Sequence, residues 1–382
     1  GSEMCIRDRT ARGARSTPIL FKDFRLYRIP VADFPKIRKK DMRLEAELPP
    51  YPAQAGAGTA FGIPSGRHSD PGCSRAFYSP YPQSNATRMI DILNLTFPEL
   101  ERFIVEELGQ PKFRAAQVWQ WIWQKHATSF DAMTDVSKQL RAKLAEVAEI
   151  VLPEIVTVQT SCDGTEKLLL RLRDGALVET VILPSTGQDG SVRIAQCVSS
   201  QIGCAMGCTF CSTGTMGFIR NMTAGEILSQ VLVARMRLGD NRIDHPIIRN
   251  LVFMGMGEPL LNLRETTRAL EMLNHDKGMD FSPRRITVST CGIKAGLREL
   301  GDSGLAFLAV SLHAPNQDLR AKIMPKAANW HLDDLMATLE SYPLKTREHI
   351  TFEYLLLGGV NDQPEHAREL AKLVSRVKGK LN

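Results

Sequence analysis

No stretch of this 382-residue chain approaches the roughly 20 consecutive apolar residues that a membrane-spanning helix needs. The N-terminus also lacks the apolar core of a secretory signal, so the expectation is a cytoplasmic protein with no membrane partner. Bulk charge is missing too. The net +6 comes from residues 1–88, where 15 Lys+Arg stand against 8 Asp+Glu, while the rest of the chain has 33 against 34. A chain so balanced does not bind polyanions through its overall charge, and any RNA affinity must come from local patches. Cysteine is absent beyond Cys291, and eight thiols with three in one short run fit a reducing compartment better than a disulfide framework.

What is present is a globular composition, 43% hydrophobic and 24% charged, on a chain long enough for two or three domains. Residues 1–88 stand apart. They hold 10 of the 21 prolines and sustain no helical or strand period, so they read as disordered or as spurious sequence ahead of a natural start at Met89. From there a helical unit is expected over 89–150. Thr96-Phe97-Pro98-Glu99 forms a capping box that opens a helix to about Leu108, ended by Gly109. A second helix runs from Lys112 to about His126 with Trp119, Ile122 and Trp123 on one face, the pattern of core packing rather than base stacking. Asp135 is expected to cap a third, from Val136 to about Val147. Lys112, Arg114, Lys125, Lys138, Arg141 and Lys143 make this unit either an RNA-docking module or simply one with a solvated face.

A three-stranded meander follows, within a connector spanning 151–191, with turns at Asp163-Gly164 and Asp174-Gly175. Glu179 lies inside one of its apolar runs, either facing solvent or as a partly buried acid–base group. From 192 to 382 strands alternate with helices. Strands are expected at 192–199, 249–254, 285–290, 306–312 and 350–357, with helices near 223–238, 263–275, 292–301, 331–341 and 363–377. Such βα units imply parallel strands, hence a barrel or partial barrel whose site lies at the C-terminal strand ends. Gly255-Met256-Gly257-Glu258-Pro259, Ser289-Thr290-Cys291-Gly292 and Ser311-Leu312-His313-Ala314 all fall at such ends.

The most informative stretch is Cys204-Ala205-Met206-Gly207-Cys208-Thr209-Phe210-Cys211. Three thiolates at intervals of four and three can converge on one metal centre but supply one ligand fewer than a closed four-cysteine site. Structural zinc completed by Cys197 or a distant histidine is one reading, and three unconnected buried thiols are another. The third is an iron–sulfur cluster with one iron left open to a small molecule.

The cysteine run with its aromatic before the last thiol, followed by the Gly-Glu-Pro strand end, resembles the radical S-adenosylmethionine (SAM) superfamily. Val178-Glu179-Thr180-Val181, Cys197 to Cys204, Ser311 to Ala314 and Gly359-Val360-Asn361-Asp362 narrow the resemblance to the radical-SAM RNA adenine methyltransferases, covering the chain from about Met89 onward. The implied fold class is α/β, a partial (βα)6 barrel whose sixth strand is cut short, preceded by the helical domain and the antiparallel meander. The implied activity is methylation of adenosine C2 in 23S rRNA, in the peptidyl-transferase region, and in tRNA. Cys204, Cys208 and Cys211 would bind a [4Fe–4S] cluster whose fourth iron chelates SAM, with two SAM consumed per turnover. Gly257 and Glu258 would receive the methionine ammonium, and Ser289, Ser311, Leu312, His313 and Asn382 the rest of SAM. Glu179 would accept a proton, and Cys197 would resolve a protein–RNA crosslink by forming a disulfide. An electron donor such as flavodoxin and a monomeric state are further expectations. A sister branch methylating adenine C8, and a non-catalytic RNA-binding protein with zinc, are the alternatives.

One element of the family pattern has no counterpart. The family reaction passes through a methylated cysteine near the C-terminus, and none of the cysteines in residues 1–382 matches it, Cys291 lying in the Ser-Thr-x-Gly element. The expectation is a fragment of a longer reading frame that binds cluster and SAM at best weakly and does not turn over RNA.

Overall fold

The computed structural model describes residues 89–186, 191–240 and 246–382, and the expectation for residues 1–88 lies outside them. The chain begins with β1 (Ile90–Asp91) and a single 3₁₀ turn, then enters α1 (Phe97–Arg102). The expected capping box is formed, the Thr96 amide and hydroxyl both donating to Glu99 at 2.8 and 2.9 Å. The helix continues as a π-helical turn over Phe103–Glu107 and ends at Gly109, whose φ of +62° glycine adopts without strain. α2 (Phe113–Trp123) buries Trp119, Ile122 and Trp123, and Phe97 and Trp123 meet the Trp119 ring edge-on at 5.5 and 5.6 Å. It stops short of His126, which sits at φ +53° and turns the chain out of the helix.

α3 (Lys138–Val147) corrects one expectation. Ser137, not Asp135, is its cap, accepting from the Leu140 amide at 3.3 Å. Asp135 is engaged elsewhere, accepting from Trp121 Nε1 and pairing with Lys125. β2 (Ala148–Glu149) returns to pair with β1 in parallel, closing the helical unit.

Two Asp-Gly turns fold β3 (Glu154–Thr160), β4 (Glu166–Arg171) and β5 (Leu177–Thr186) into the expected antiparallel meander. β5 then pairs antiparallel with β6 (Val192–Cys197), so the meander continues the main sheet. After β6 comes a hairpin, β7 (Gln201–Gly203) and β8 (Phe218–Asn221), which encloses the short α4 (Ser212–Met216). The expected alternation follows: α5 (Ala224–Leu238), β9 (Ile248–Phe253), α6 (Leu263–Asn274), β10 (Ile286–Thr290), α7 (Lys294–Ser303), β11 (Phe307–Ser311), then α8 (Gln317–Ile323), a helix not among those expected, α9 (Leu332–Glu340), β12 (Ile350–Glu353), α10 (Pro364–Val374) and β13 (Gly379–Leu381).

These strands build a nine-stranded sheet in the order β13-β12-β11-β10-β9-β6-β5-β4-β3. The six strands from β6 to β13 are mutually parallel, so the class is α/β with a parallel-rich sheet, an open barrel among the described residues. Parallel strands flanked by helices are buried on both faces. Accordingly Leu251, Ile286, Val288, Val310, Ile350 and Phe352 lie in the core.

The helical unit is tied to this core by charge as well as by packing. Arg268 on α6 donates to both Glu99 carboxylate oxygens, at 2.8 and 2.7 Å, and to the Asn94 carbonyl. Burial acts to raise the Glu99 pKa, but Arg268 and the Thr96 donors outweigh it and hold the carboxyl down at about 2. A group depressed in the folded state contributes stability above its unfolded value, near 4.5, and loses it as pH falls toward 2. Glu99→Gln is therefore expected to destabilise by about 2 kcal/mol at pH 7. Urea midpoints taken from pH 6 to 3 should converge for wild type and variant, and a gap unchanged at pH 3 would contradict the account.

Candidate cofactor site

Because the six strands run in one direction, their C-terminal ends share one edge of the sheet, and backbone hydrogen bonds lace that edge together. Gly255 donates to the Val198 carbonyl, and Ser200 and Gln201 both donate to the Met256 carbonyl. Leu312 and His313 donate to the Glu353 carbonyl, and Tyr354 donates to that of Asn382. The sequence motifs therefore meet as expected at one mouth.

The cysteine loop is rooted in the β7–β8 hairpin. Cys204 donates its amide to the Gly217 carbonyl at 2.9 Å. Gly203 has φ +72°, and a Cβ there would lie 1.9 Å from the Gly217 oxygen, so only glycine allows the closure. The far side of the loop is held by two contacts. Thr209 donates to the Ile323 carbonyl at the end of α8 at 2.9 Å, and the Phe210 ring meets His313 edge-on at 4.9 Å.

Burial raises the thiol pKa of Cys204 and Cys208, with Cys208 reaching about 12 as Cys211 and Cys204 add to the effect. The three sulfurs are thus near enough to act on one another. Among the described residues, however, no three His, Cys, Asp or Glu side chains are drawn close enough to hold a metal ion as they stand. A single zinc ion, with Zn–S bonds of ~2.3 Å, needs thiolates gathered almost into contact. The donor set, three cysteines in one loop with one ligand fewer than a closed four-cysteine site, fits a [4Fe–4S] cluster.

Glu258 lies at the centre of the mouth and is fully buried. Its carboxylate accepts from the amides of Leu260 at 3.1 Å and Cys291 at 2.8 Å, which ties the end of β9 to the end of β10. Burial nevertheless raises its pKa. Each carboxylate oxygen carries two lone pairs, so both retain capacity for a ligand ammonium. The preceding Gly257 has φ +101°, and a Cβ would stand 2.5 Å from that of Gln201, which accepts the Glu258 amide at 2.8 Å. Ser289 and Ser311 bring their hydroxyl oxygens to 3.3 Å.

His313 adopts φ +53°, an unusual conformation for a non-glycine residue, fixed by three bonds. Its amide donates to Glu353, its carbonyl accepts from Asn361 Nδ2 at 2.8 Å, and its Nδ1 accepts from the Leu355 amide at 3.0 Å. Nδ1 being an acceptor, the neutral ring carries its proton on Nε2. Burial, reinforced by the Arg320 guanidinium, pushes its pKa down to about 3. Asn382 follows β13 and donates from Nδ2 to Glu353 at 2.7 Å.

Glu179 is half-exposed on β5 and pairs with Lys167 at 2.8 Å. In the β5–β6 ladder Val181 opposes Cys197, so Glu179, two residues earlier, shares a sheet face with Cys197. Burial pushes the Cys197 thiol up to about 12. Sequence reasoning missed the buried amides that brace the mouth, Gln201, Gln230 and Asn361, and also missed Arg320. Polar residues inside apolar text were the available signal for Gln230, set within Leu228-Ser229-Gln230-Val231-Leu232.

A three-cysteine loop at the mouth of a parallel α/β sheet, beside a buried Gly-Glu-Pro carboxylate, defines a radical-SAM protein. The Radical SAM superfamily matches residues 198–371, and the Ribosomal RNA large subunit methyltransferase N-terminal domain matches residues 90–150. The chain is 74% identical over 294 residues to the Dual-specificity RNA methyltransferase RlmN of Nitratidesulfovibrio vulgaris strain DP4, covering 77% of this chain and 81% of that protein. It is 64% identical to the protein of the same name from Lawsonia intracellularis, covering 77% and 82%. A crystal structure of a radical SAM methyltransferase from Sphaerobacter thermophilus superposes with a TM-score of 0.70 at 40% identity, covering 77% of this chain and 84% of that one. This chain belongs to the RlmN family of radical-SAM RNA methyltransferases.

The contrasting thiol environments make a direct check possible. Iodoacetamide at pH 8 is expected to label the exposed Cys162 at least tenfold faster than the buried, protonated Cys197 in the folded protein, read by peptide mass spectrometry. Equal rates would show that Cys197 is accessible and its thiol unperturbed.

Proposed function

We propose that this chain carries the cluster- and SAM-binding machinery of a radical-SAM methyltransferase that adds a methyl group to C2 of adenosine in 23S rRNA, in the peptidyl-transferase region, and in tRNA, through a methylated cysteine that has no match in residues 1–382. The observation that carries the reading is the convergence of the cysteine loop, Glu258 and the Ser289–Ser311 pair on one strand-end mouth, beside the Glu179 and Cys197 face. A [4Fe–4S] cluster held by Cys204, Cys208 and Cys211 would supply the electron for cleaving SAM, two molecules of which would serve each turnover.

In this reading Cys204, Cys208 and Cys211 hold the cluster. Gly257 lets the backbone approach, and Glu258 binds the methionine ammonium with lone pairs not used by Leu260 and Cys291. Ser289, Ser311, Leu312, His313 and Asn382 orient the rest of SAM, with His313 offering its Nε2 proton. Glu179 accepts the proton lost from adenine C2, and the Lys167 ammonium holds its carboxylate in place. Cys197 would resolve the protein–RNA crosslink by forming a disulfide with the family's methyl-carrying cysteine, which has no match in residues 1–382, and burial raises the Cys197 thiol pKa.

Residues 89–150 form the RNA-docking unit, 151–191 the connector and 192–382 the radical-SAM core. Lys138 is exposed and Lys143 half-buried on α3, whereas Lys112 pairs with Glu101 and Lys125 lies over the Trp121 ring, so the basic face is partly engaged within the protein. A flavodoxin-like donor, a monomeric state and a cytoplasmic location complete the proposal. Among the described residues no helix is long and apolar enough to cross a membrane.

The test has two arms. Anaerobically reconstituted protein with dithionite is expected to convert SAM to 5′-deoxyadenosine, and Cys204→Ala, Cys208→Ala or Cys211→Ala to lower that yield by more than 100-fold. The native gene, expressed in a host lacking its own adenine C2 methylation, is expected to place a methyl group at C2. Methyl at C8, or no cleavage of SAM, would overturn the reading.

A further inference from the structure

Among the described residues, Arg320 on α8 is the largest charged side chain with no exposure to solvent. Its guanidinium spans two strand ends. Nη1 donates to the Leu312 carbonyl at 2.9 Å and reaches that of Ser311 at 3.4 Å, while Nη2 donates to the Cys291 carbonyl. Nε is buried without a hydrogen-bond partner. Among the described residues no carboxylate forms an ion pair with it. Burial lowers its pKa, and Cys291 and Cys208 are close enough that negative charge on them would oppose that.

A buried guanidinium neutralised only by carbonyl dipoles is costly, and such a charge is retained where an anion compensates it. The same helix provides the link to where that anion forms. One turn beyond Arg320, the Ile323 carbonyl accepts the Thr209 amide, the residue next to Cys208. α8 thus grips the cysteine loop from below with its last turn and the β10 and β11 ends with its arginine.

We infer that Arg320 is a positioning residue of the cofactor site with two effects. It locks the Cys291 and Ser311–Leu312 strand ends in register, and it sets a fixed positive charge beside Cys208 that raises the reduction potential of a bound cluster. The sign follows from electrostatics. Reduction adds negative charge to the cluster, and a nearby cation in a low-dielectric site stabilises the reduced form more than the oxidised one. The inference rests on the proposed [4Fe–4S] site.

The experiment is a redox titration of the reconstituted cluster monitored by electron paramagnetic resonance in wild type, Arg320→Lys and Arg320→Met, together with SAM binding by equilibrium dialysis. Circular dichroism and iron content establish that each variant is folded and loaded. Arg320→Met is expected to make reduction at least tenfold less favourable, about 59 mV for one electron. Arg320→Lys keeps the charge but loses the two-pronged grip, and is expected to retain the potential while binding SAM at least tenfold more weakly. A potential unchanged in folded, loaded Arg320→Met overturns the inference. So does failure of both variants to fold, which would assign Arg320 to stability alone. A wild-type protein that takes up no iron would instead overturn the proposed function itself, and this inference with it.

Discussion

Buried negative charge at the mouth of the sheet is the constraint around which this protein is arranged. Glu258, Cys204, Cys208 and Cys291 lie together where water is scarce, and burial raises the pKa of each. Left alone, such a cluster has the charged form of every member disfavoured by burial. It becomes useful only when positive charge is brought to it, by a metal group in the loop and by an ammonium at Glu258. Arg320 is the resident share of that charge. Its position, shared between two strand ends and the underside of the loop, shows the site and the fold being stabilised by the same side chain.

Ordering the mouth falls to backbone amides and buried side-chain amides rather than to long flexible groups. Gln230 exchanges two hydrogen bonds with the Ser199 backbone, Gln201 holds the Glu258 amide, and Asn361 grips three backbone groups around His313. Fully satisfied buried amides are rigid and fix one geometry. That rigidity is what sustains a histidine at positive φ and two serine hydroxyls at mutual hydrogen-bond distance. The cysteine loop, by contrast, hangs from a two-strand hairpin and one helix end, consistent with a segment that adjusts when its ligand arrives.

Much of this was legible in the sequence, because βα alternation and the placement of motifs at strand ends depend on local periodicity. The capping box at Thr96, the Asp-Gly turns and the strand spans all emerged within a few residues of expectation for that reason. What was not legible depends on partners distant in the chain. Asp135 has the chemistry of a cap, but Trp121 and Lys125 claim its carboxylate, so Ser137 caps instead. Arg320 lies in a stretch where no helix is expected, and only the fold reveals α8 and the three carbonyls that converge on its arginine. The β7–β8 hairpin has strands of three and four residues, too short for any periodic signal, although it anchors the central motif. The family resemblance supplied the roles of Ser289, Ser311 and His313 where their residue types alone would not.

The central claim is that the 204–211 loop holds an iron–sulfur cluster with one iron left for SAM. The most direct measurement is the electron paramagnetic resonance spectrum of the reduced, reconstituted protein before and after addition of SAM. If SAM ligates the open iron, the g values shift on its addition. A spectrum indifferent to SAM, or zinc in place of iron in anaerobically purified protein, would contradict the account.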